Sequence, residues 1–412
     1  MKKELYSIKL ISILMVILLL TVQTGCGRAS RKKEKEISPE TASTRFSEET
    51  GEIDDVMMEH LLEKVMKKLT LEQKIGQMFI VCTDSLDFNA ETAMTDKAAE
   101  TLKKYQPGGV IFFSFNLVDR EQTKTFIDSL QSCSRVPLFT AVDEEGGKVA
   151  RIANAEGMNT TVFPPMAEIG RTEDPGEARK VGETIGSEIS ELGFNLDFAP
   201  VADISTNDLN TEIGTRSFGD DPKLVAKMVS EVVKGLQEKG VCATLKHFPG
   251  QGDSGEDTHR GYVNLDTSID RLRDMEFVPF KAGIKAGADF VMVSHVAVSN
   301  ITQNEVPASL SSLMVSDILR GELQFENVII TDAMNMKVIT KFYDPAQAAV
   351  MAVQAGNDMI LMPDDFKLAY EGIQEALADG DLTKKDINDA AERILRTKIR
   401  RGIIPLDSDL LK

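Results

Sequence analysis

Apolar residues are not spread evenly along this chain but collect in short, nearly continuous runs separated by longer amphipathic stretches. Eight such runs occupy residues 78–82, 110–113, 138–142, 195–199, 241–245, 290–293, 328–330 and 359–362. A run that is apolar without alternation is typical of a strand buried on both faces of a parallel sheet. The pattern therefore predicts eight central strands.

The stretches between these runs have helical periodicity. The predicted helices cover residues 120–133, 176–192, 223–239, 269–286, 311–320 and 344–355, and a last helix covers 384–401. Glycine steps such as Leu192-Gly193 and Ala355-Gly356 are suited to helix C-termini that lead into strands. Eight strand–helix units predict an α/β fold, a TIM-type (β/α)8 barrel with a single catalytic domain. A doubly wound open sheet is the alternative.

The N-terminus has the form of an export signal. Lysines at positions 2, 3 and 9 precede an apolar run, 10–22, that is short for a membrane span and ends near Gly25-Cys26. Small residues before a cysteine resemble a bacterial lipoprotein processing site, although Gln23 stands where that pattern prefers Leu. We expect residues 1–26 to be a lipoprotein-type signal peptide with lipidation at Cys26. An uncleaved N-terminal anchor helix is the alternative.

Residues 27–55 are rich in Lys, Glu, Ser and Thr and contain almost no large apolar residue. Such a segment cannot bury enough surface to fold, so a flexible polar tether is expected there, with the catalytic domain in 56–412. The protein would then be exported and lipid-anchored on the outer face of the bacterial cytoplasmic membrane, and a monomer is expected.

The charge balance narrows the range of partners. The chain has 47 Lys and Arg against 65 Asp and Glu, a formal net charge of −18. Because phosphate contacts need clustered cations, nucleic acid is not an expected partner. Of the four cysteines, Cys82 and Cys242 lie in apolar runs and are expected to be free thiols in the core.

Reactive residue types collect directly after the predicted strands, where a barrel carries its chemistry. The segments concerned are 143–147 with Arg151, 199–203, 214–218, 246–253 with 257–259, Ser294-His295 and Thr331-Asp332. Two chemistries could use this rim. Metal-assisted hydrolysis would employ His247, Asp257, His259 and His295 as ligands. It is the weaker alternative, because barrel metallohydrolases usually begin with His-x-His after the first strand, and Cys82-Thr83-Asp84 contains no histidine.

Glycoside cleavage with a carboxylate nucleophile is the other chemistry. It needs an ionised carboxylate on a rigid strand end, which Asp332 supplies, a separate proton donor, and polar groups for sugar hydroxyls. The segment Lys246-His247-Phe248-Pro249-Gly250-x-Gly252, followed by Asp257-x-His259, closely resembles the signature of glycoside hydrolase family 3, in its β-N-acetylglucosaminidase branch. The resemblance covers about residues 60–405.

Further motifs carry the same resemblance. Asp143-x-Glu145-Gly146-Gly147 with Arg151 resembles the family's first sugar-binding element, and Arg216 in Gly214-Thr215-Arg216-Ser217-Phe218 its second. Ile330-Thr331-Asp332-Ala333-Met334 stands where the family places its nucleophile. Gln251 and Thr258 depart from the pattern, since many members have His and Ser there.

The resemblance implies a set of roles. Asp332 would be the nucleophile, His259 the general acid and base, and Asp257 the residue that orients His259. Five residues would bind sugar hydroxyls: Asp143, Arg151, Arg216, Lys246 and His247. No metal or organic cofactor is needed. The expected function is a retaining exo-β-N-acetylglucosaminidase, acting on terminal N-acetyl-β-hexosamine residues of glycans or cell-wall fragments.

Other functions stay open at this stage. β-Glucosidase or β-xylosidase activity of the same family is the nearest competing specificity, and phosphate could replace water as the acceptor. Glucoside-cleaving members often carry a second α/β domain that donates an acid Glu. The absence of such a domain in this sequence favours the single-domain branch. The non-enzyme alternative is a solute-binding lipoprotein, which would bind sugar without cleaving it.

Overall fold

A computed structural model describes residues 53–255 and 262–412. The predicted lipidation site Cys26 and the predicted acid–base pair Asp257 and His259 lie outside the described residues. The first helix of the described part begins at Asp55, the position at which the tether was predicted to end.

Eight parallel strands form a closed barrel in which each strand pairs with its neighbours in the chain and the eighth pairs with the first. Their bounds are Phe79–Cys82, Gly109–Ile111, Phe139–Val142, Leu196–Asp197, Cys242–Phe248, Phe290–Val293, Val328–Ala333 and Met359–Leu361. All eight predicted strands are present. The prediction of a (β/α)8 barrel is confirmed, and the closure of the sheet excludes the open doubly wound alternative.

Three strands differ by two residues or more in length from the apolar runs that predicted them. The fourth is only Leu196–Asp197, because Pro200 has no N–H with which to extend the ladder. The fifth continues through Lys246 to Phe248, and the seventh continues to Ala333. A polar side chain can belong to a buried strand when its charge is paired, so the apolar pattern ends before the strand does.

Fifteen α-helices and one π-helix accompany the barrel in the described part of the chain. They are Asp55–Lys68, Leu71–Gln77, Thr83–Leu86, Asp96–Tyr105, Arg120–Cys133, Met166–Gly170, Pro175–Ser190, Pro222–Glu238, Ile269–Asp274, Phe277–Lys285, Ser299–Thr302, Leu313–Glu322 (of π type), Lys337–Thr340, Pro345–Ala355, Phe366–Asp379 and Lys384–Arg400. Three of them begin with an N-cap aspartate followed by proline, which fixes their starts.

The helix predicted over 269–286 is wrong as a single element. The structure has two helices there, Ile269–Asp274 and Phe277–Lys285. Pro279 explains the break, since it has no N–H to donate to a preceding turn. With a helix start at Phe277 the proline lies in the first turn, where N–H groups have no partner within the helix.

The first and last helices pack against each other away from the strand C-termini. Met58, Leu61 and Val65 join Leu395 and Ile399 in a separate apolar cluster. None of the helices in residues 53–255 and 262–412 is long and apolar enough to cross a membrane.

A short antiparallel hairpin follows the third strand and was not predicted. Its strands are Glu144–Gly146 and Val149–Ala150. Gly146 and Gly147 have φ angles of +92° and +60°, and a Cβ at Gly147 would lie 2.9 Å from the Cα of Pro165. Only glycine fits this turn without strain. The hairpin carries site residues on both of its sides.

Candidate active site

A cavity of about 460 Å³ opens at the carboxyl ends of the strands. Six of the eight residues predicted to act in catalysis or sugar binding line it, and they are Asp143, Arg151, Arg216, Lys246, His247 and Asp332. The other two, Asp257 and His259, lie outside the described residues. Side chains distant in sequence therefore converge on one concave space, as parallel strands with a common direction allow.

Lys246 is at the centre of a buried charge network. Its Nζ lies 2.8 Å from Oδ1 of Asp143 and 2.6 Å from Oε1 of Glu145. Arg216 donates to both oxygens of the same Glu145 carboxylate, at 2.7 and 2.8 Å. The lysine and Glu145 are buried, so two cations and two anions are held together with little water around them.

The network keeps its members ionised. Burial by itself raises the pKa of Glu145, but the charges of Arg216 and Lys246 outweigh it and hold the pKa well below its usual range. Burial by itself lowers the pKa of Lys246, but Asp143 and Glu145 outweigh it and leave the pKa raised. A fixed array of charged donors and acceptors lines this part of the cavity, which suits the recognition of a polyhydroxylated ligand.

Arg151 forms the outer side of this array. Its guanidinium lies 3.6 Å from Oδ2 of Asp143 and stacks over the ring of Phe113 at 5.6 Å from the ring centroid. The backbone N–H of Arg151 donates to the carbonyl oxygen of Asp143 at 3.1 Å. Asp143 and Arg151 are thus joined through backbone and side chain across the hairpin.

His247 is held by Asp203. Oδ2 of Asp203 lies 2.7 Å from Nδ1 of His247 and accepts a hydrogen bond from the His247 backbone N–H at 3.1 Å. Because a carboxylate only accepts, Nδ1 carries the proton, and Nε2 is left as an acceptor 3.4 Å from Nη2 of Arg216. Asp203 therefore fixes both the orientation and the tautomer of a histidine that lines the cavity.

Asp332 lies near the end of the seventh strand, and its side chain lines the cavity. Its Oδ1 accepts a hydrogen bond from the N–H of Ala333 at 2.7 Å, and its side chain is half-buried. His295 is hydrogen-bonded to the end of this strand. Its Nε2 is 3.1 Å from the carbonyl oxygen of Ala333 and its Nδ1 is 2.7 Å from Oγ of Ser309.

His295 is a supporting residue and not a lining one. Burial lowers its pKa, although the negative charge of Asp332 acts in the opposite direction. A neutral ring with Nε2–H donating to Ala333 leaves Nδ1 to accept from Ser309. In residues 53–255 and 262–412, no three His, Cys, Asp or Glu side chains form a group that could hold a metal ion.

Two residues that matter to the geometry, Glu145 and Asp203, are not among the site residues predicted from the sequence. Glu145 belongs to the motif Asp143-x-Glu145-Gly146-Gly147, and Asp203 is the last residue of the rim segment 199–203. The signal for both was a carboxylate within a few residues of the C-terminal end of a buried strand, where an unpaired charge is expensive. Their partners, Arg216 and His247, are distant in sequence and could not be identified from spacing.

Comparison with known proteins gives the family. The family described as "Glycosyl hydrolase family 3 N terminal domain" matches residues 70–397. This chain belongs to glycosyl hydrolase family 3. Its relatives include "Beta-hexosaminidase A" of Pseudoalteromonas piscicida, 31% identical over 370 residues, which cover 81% of this chain and 61% of the relative. "Beta-hexosaminidase" of Stenotrophomonas maltophilia is 35% identical over 66% of this chain and 81% of its own length.

Solved structures of other proteins are similar as well. A "glycoside hydrolase family 3 beta-N-acetylglucosaminidase from Paenibacillus sp. str. FPU-7" has a TM-score of 0.77 and 37% identity, covering 81% of this chain and 63% of that one. "Beta-glucoside phosphorylase BglX" has a TM-score of 0.74 and 27% identity, over 86% and 62% of the two chains. This chain thus spans somewhat less than two thirds of several relatives, but most of the Stenotrophomonas one.

Proposed function

We propose that this chain is a retaining exo-β-N-acetylglucosaminidase that removes terminal N-acetyl-β-hexosamine residues from glycans or cell-wall fragments. One observation carries the proposal: Asp332, on a rigid strand end, shares a single cavity with the charge network of Lys246, Glu145 and Arg216. A nucleophile and an array of hydrogen-bonding groups are what cleavage of a bound sugar requires. The names of the family 3 hexosaminidase relatives support the choice of sugar.

The proposed reaction has two steps. In the first, Asp332 attacks the anomeric carbon while His259 donates a proton to the leaving oxygen, and a covalent glycosyl-enzyme forms. In the second, His259 takes a proton from the incoming water, which attacks the same carbon and restores Asp332. Asp257 holds the His259 ring. Two inversions at one carbon give overall retention of the β configuration.

The other groups bind the sugar. Lys246 and Arg216 offer donors from fixed positions, and His247 offers the acceptor Nε2. Asp143 accepts hydrogen bonds from hydroxyls beside Arg151. Because the network is preorganised by its own ion pairs, little ordering is needed when the substrate arrives.

The test is release of p-nitrophenol from a panel of aryl β-glycosides, with and without phosphate. We expect the N-acetylglucosaminide to be the best substrate, and Asp332→Asn to lower turnover by several orders of magnitude without loss of folding. A 2-fluoro glycoside inactivator should label Asp332. Labelling of another carboxylate, or preference for glucoside or xyloside, would contradict the assignment. A strict requirement for phosphate would make the enzyme a phosphorylase.

We also propose that the protein is exported and tied to the outer face of the bacterial cytoplasmic membrane by acyl chains on Cys26. The support is Gly25-Cys26 at the end of the apolar run 10–22. Mass spectrometry of the mature N-terminus in the native host decides the question. An unacylated N-terminus at another residue would show that Gln23 prevents processing.

A further inference from the structure

Glu144 lies between two residues of the site, Asp143 and Glu145, but its side chain is not among those that line the cavity. It is 3% exposed and points into the space beneath the hairpin, among Met166, Val181 and Ile185. A carboxylate among apolar side chains is costly unless hydrogen bonds compensate for its lost hydration.

Two backbone groups supply that compensation. Oε2 of Glu144 accepts from the N–H of Ile152 at 2.7 Å, and Oε1 accepts from the N–H of Ala153 at 3.0 Å. Both donors follow directly after Arg151 in the chain. The carboxylate therefore ties the incoming side of the hairpin, which carries Asp143, to the outgoing side, which carries Arg151.

Glu144 is also hydrogen-bonded to the barrel through its backbone. The backbone N–H of Glu144 donates to Oδ1 of Asp197 at 2.9 Å, and Asp197 ends the fourth strand with no exposure to solvent. The hairpin is thus attached to the barrel through Glu144 N–H and closed on itself through the Glu144 side chain.

We propose that Glu144 is a positioning residue of the sugar site. Its carboxylate closes the base of the hairpin and so sets where Asp143, Glu145 and Arg151 stand in the cavity. The effect of this positioning on catalysis rests on the proposed function. The two hydrogen bonds from Ile152 and Ala153 to Glu144 can be measured without any substrate.

The ionised form of Glu144 is the one that can accept both hydrogen bonds. Burial, as the main cause, raises the pKa of Glu144 to about 7, although the N–H groups of Ile152 and Ala153 pull it down. The titratable groups around it are Asp143 and Glu145 beside it in the chain, Glu188 on helix Pro175–Ser190, and Asp197 on the fourth strand, whose own pKa is raised well above the ordinary value by burial.

Glutamine is the informative substitution. The amide of Glu144→Gln has one accepting oxygen and one donating NH₂, so one of the two backbone donors faces a donor. A protonated glutamic acid has the same arrangement, one accepting and one donating oxygen. Wild type and variant should therefore resemble each other at low pH and differ at high pH.

The first measurement is kcat/KM for p-nitrophenyl β-N-acetylglucosaminide between pH 5.5 and 8.5. We expect kcat/KM of wild type divided by kcat/KM of Glu144→Gln to be near one at pH 5.5. Above pH 8 this ratio should rise to roughly tenfold, the effect of losing one buried hydrogen bond. Titration of shared groups that are not coupled to Glu144 cancels in the ratio. Glu156→Gln, at an exposed position nearby, is the control and should stay at a ratio of one.

The second measurement is amide hydrogen exchange at Ile152 and Ala153, without substrate. Above pH 8, at least one of these amides should exchange faster in Glu144→Gln than in wild type. Equal exchange in both proteins, or an activity ratio that does not change with pH, would overturn the inference. A wild-type protein that cleaves no aryl glycoside would instead contradict the proposed function, and the exchange result would still decide whether Glu144 closes the hairpin.

Discussion

Arg216 donates two hydrogen bonds, from Nε and Nη2, to the two carboxylate oxygens of Glu145 at 2.8 and 2.7 Å. Both side chains are at least nine-tenths buried, and Lys246 shares one of the oxygens. A bidentate pair of this kind holds the guanidinium plane in one orientation. The position of Arg216 in the cavity thus depends on Glu145, which is not among the site residues predicted from the sequence.

We expect Glu145→Gln to lower the free energy of unfolding by about 3–5 kcal/mol, because it leaves Arg216 and Lys246 buried with one anion fewer. Denaturant unfolding measures the change. Glu183→Gln is the matched control: Glu183 also pairs with an arginine, Arg179 at 2.9 Å, but at the surface, where such a pair contributes about 1 kcal/mol or less. Equal losses of unfolding free energy in the two variants would show that the buried network stabilises the fold no more than a surface ion pair does.

The ion pair between Arg216 and Glu145 also makes the free energy of unfolding depend on pH. The folded-state pKa of Glu145 is depressed, so its stabilising contribution is present above the unfolded value of about 4.3 and is lost as pH falls below it. The difference in unfolding free energy between wild type and Glu145→Gln should be constant from pH 7 to about 5 and shrink at lower pH. A difference that grows on acidification would contradict the assignment.

Asp203→Asn should lower kcat/KM by roughly ten- to hundredfold, because one amide cannot accept the three hydrogen bonds that Asp203 receives. These come from the backbone N–H and Nδ1 of His247 and from the N–H of Gln251 at 2.8 Å. Steady-state kinetics on the aryl N-acetylglucosaminide test this, with circular dichroism to verify folding. Unchanged kinetics would mean that the His247 tautomer is irrelevant to binding.

Lys398, on the last helix, is buried with its Nζ 2.8 Å from Oε1 of Gln77 and 2.8 Å from the carbonyl oxygen of Gly108. Burial holds its pKa well below the ordinary value. Between the folded and unfolded pKa values the unfolded chain binds more protons, so stability rises with pH in this window. The unfolding free energy of wild type minus that of Lys398→Met should therefore rise as the pH increases toward the unfolded pKa of about 10.4, by up to about 1.4 kcal/mol per pH unit. A difference independent of pH would show that Lys398 is charged in the fold.

His259→Ala should harm substrates with poor leaving groups most, because an activated aryl group departs with little protonation. Asp257→Ala should show the same trend more weakly, since the imidazole remains but is no longer held. The measurement is kcat/KM for aryl glycosides of differing leaving-group pKa in wild type and both variants. An unchanged slope in His259→Ala would reject the acid role and make Glu256, adjacent to Asp257 in the sequence, the next residue to test.

The sequence by itself determined the barrel and the end of the barrel that carries the chemistry. A strand such as Phe290–Val293 is buried on both faces, so its residues are apolar without alternation and can be recognised locally. Asp332 and His247 could be placed on one rim because they follow such runs and parallel strands share a direction. These are consequences of local hydrophobic pattern and chain order alone.

Only the tertiary structure decided which charges pair. Arg216 and Glu145 are 71 residues apart, and Lys246 and Asp143 are 103 apart. Nothing local in the sequence marks one carboxylate as the partner of a given cation, since Asp143, Glu144 and Glu145 are adjacent and chemically alike. The hairpin separates them, directing Asp143 and Glu145 to the cavity and Glu144 beneath it. The physical reason is that an ion pair is set by distance in space and by burial, both of which exist only once the barrel has closed.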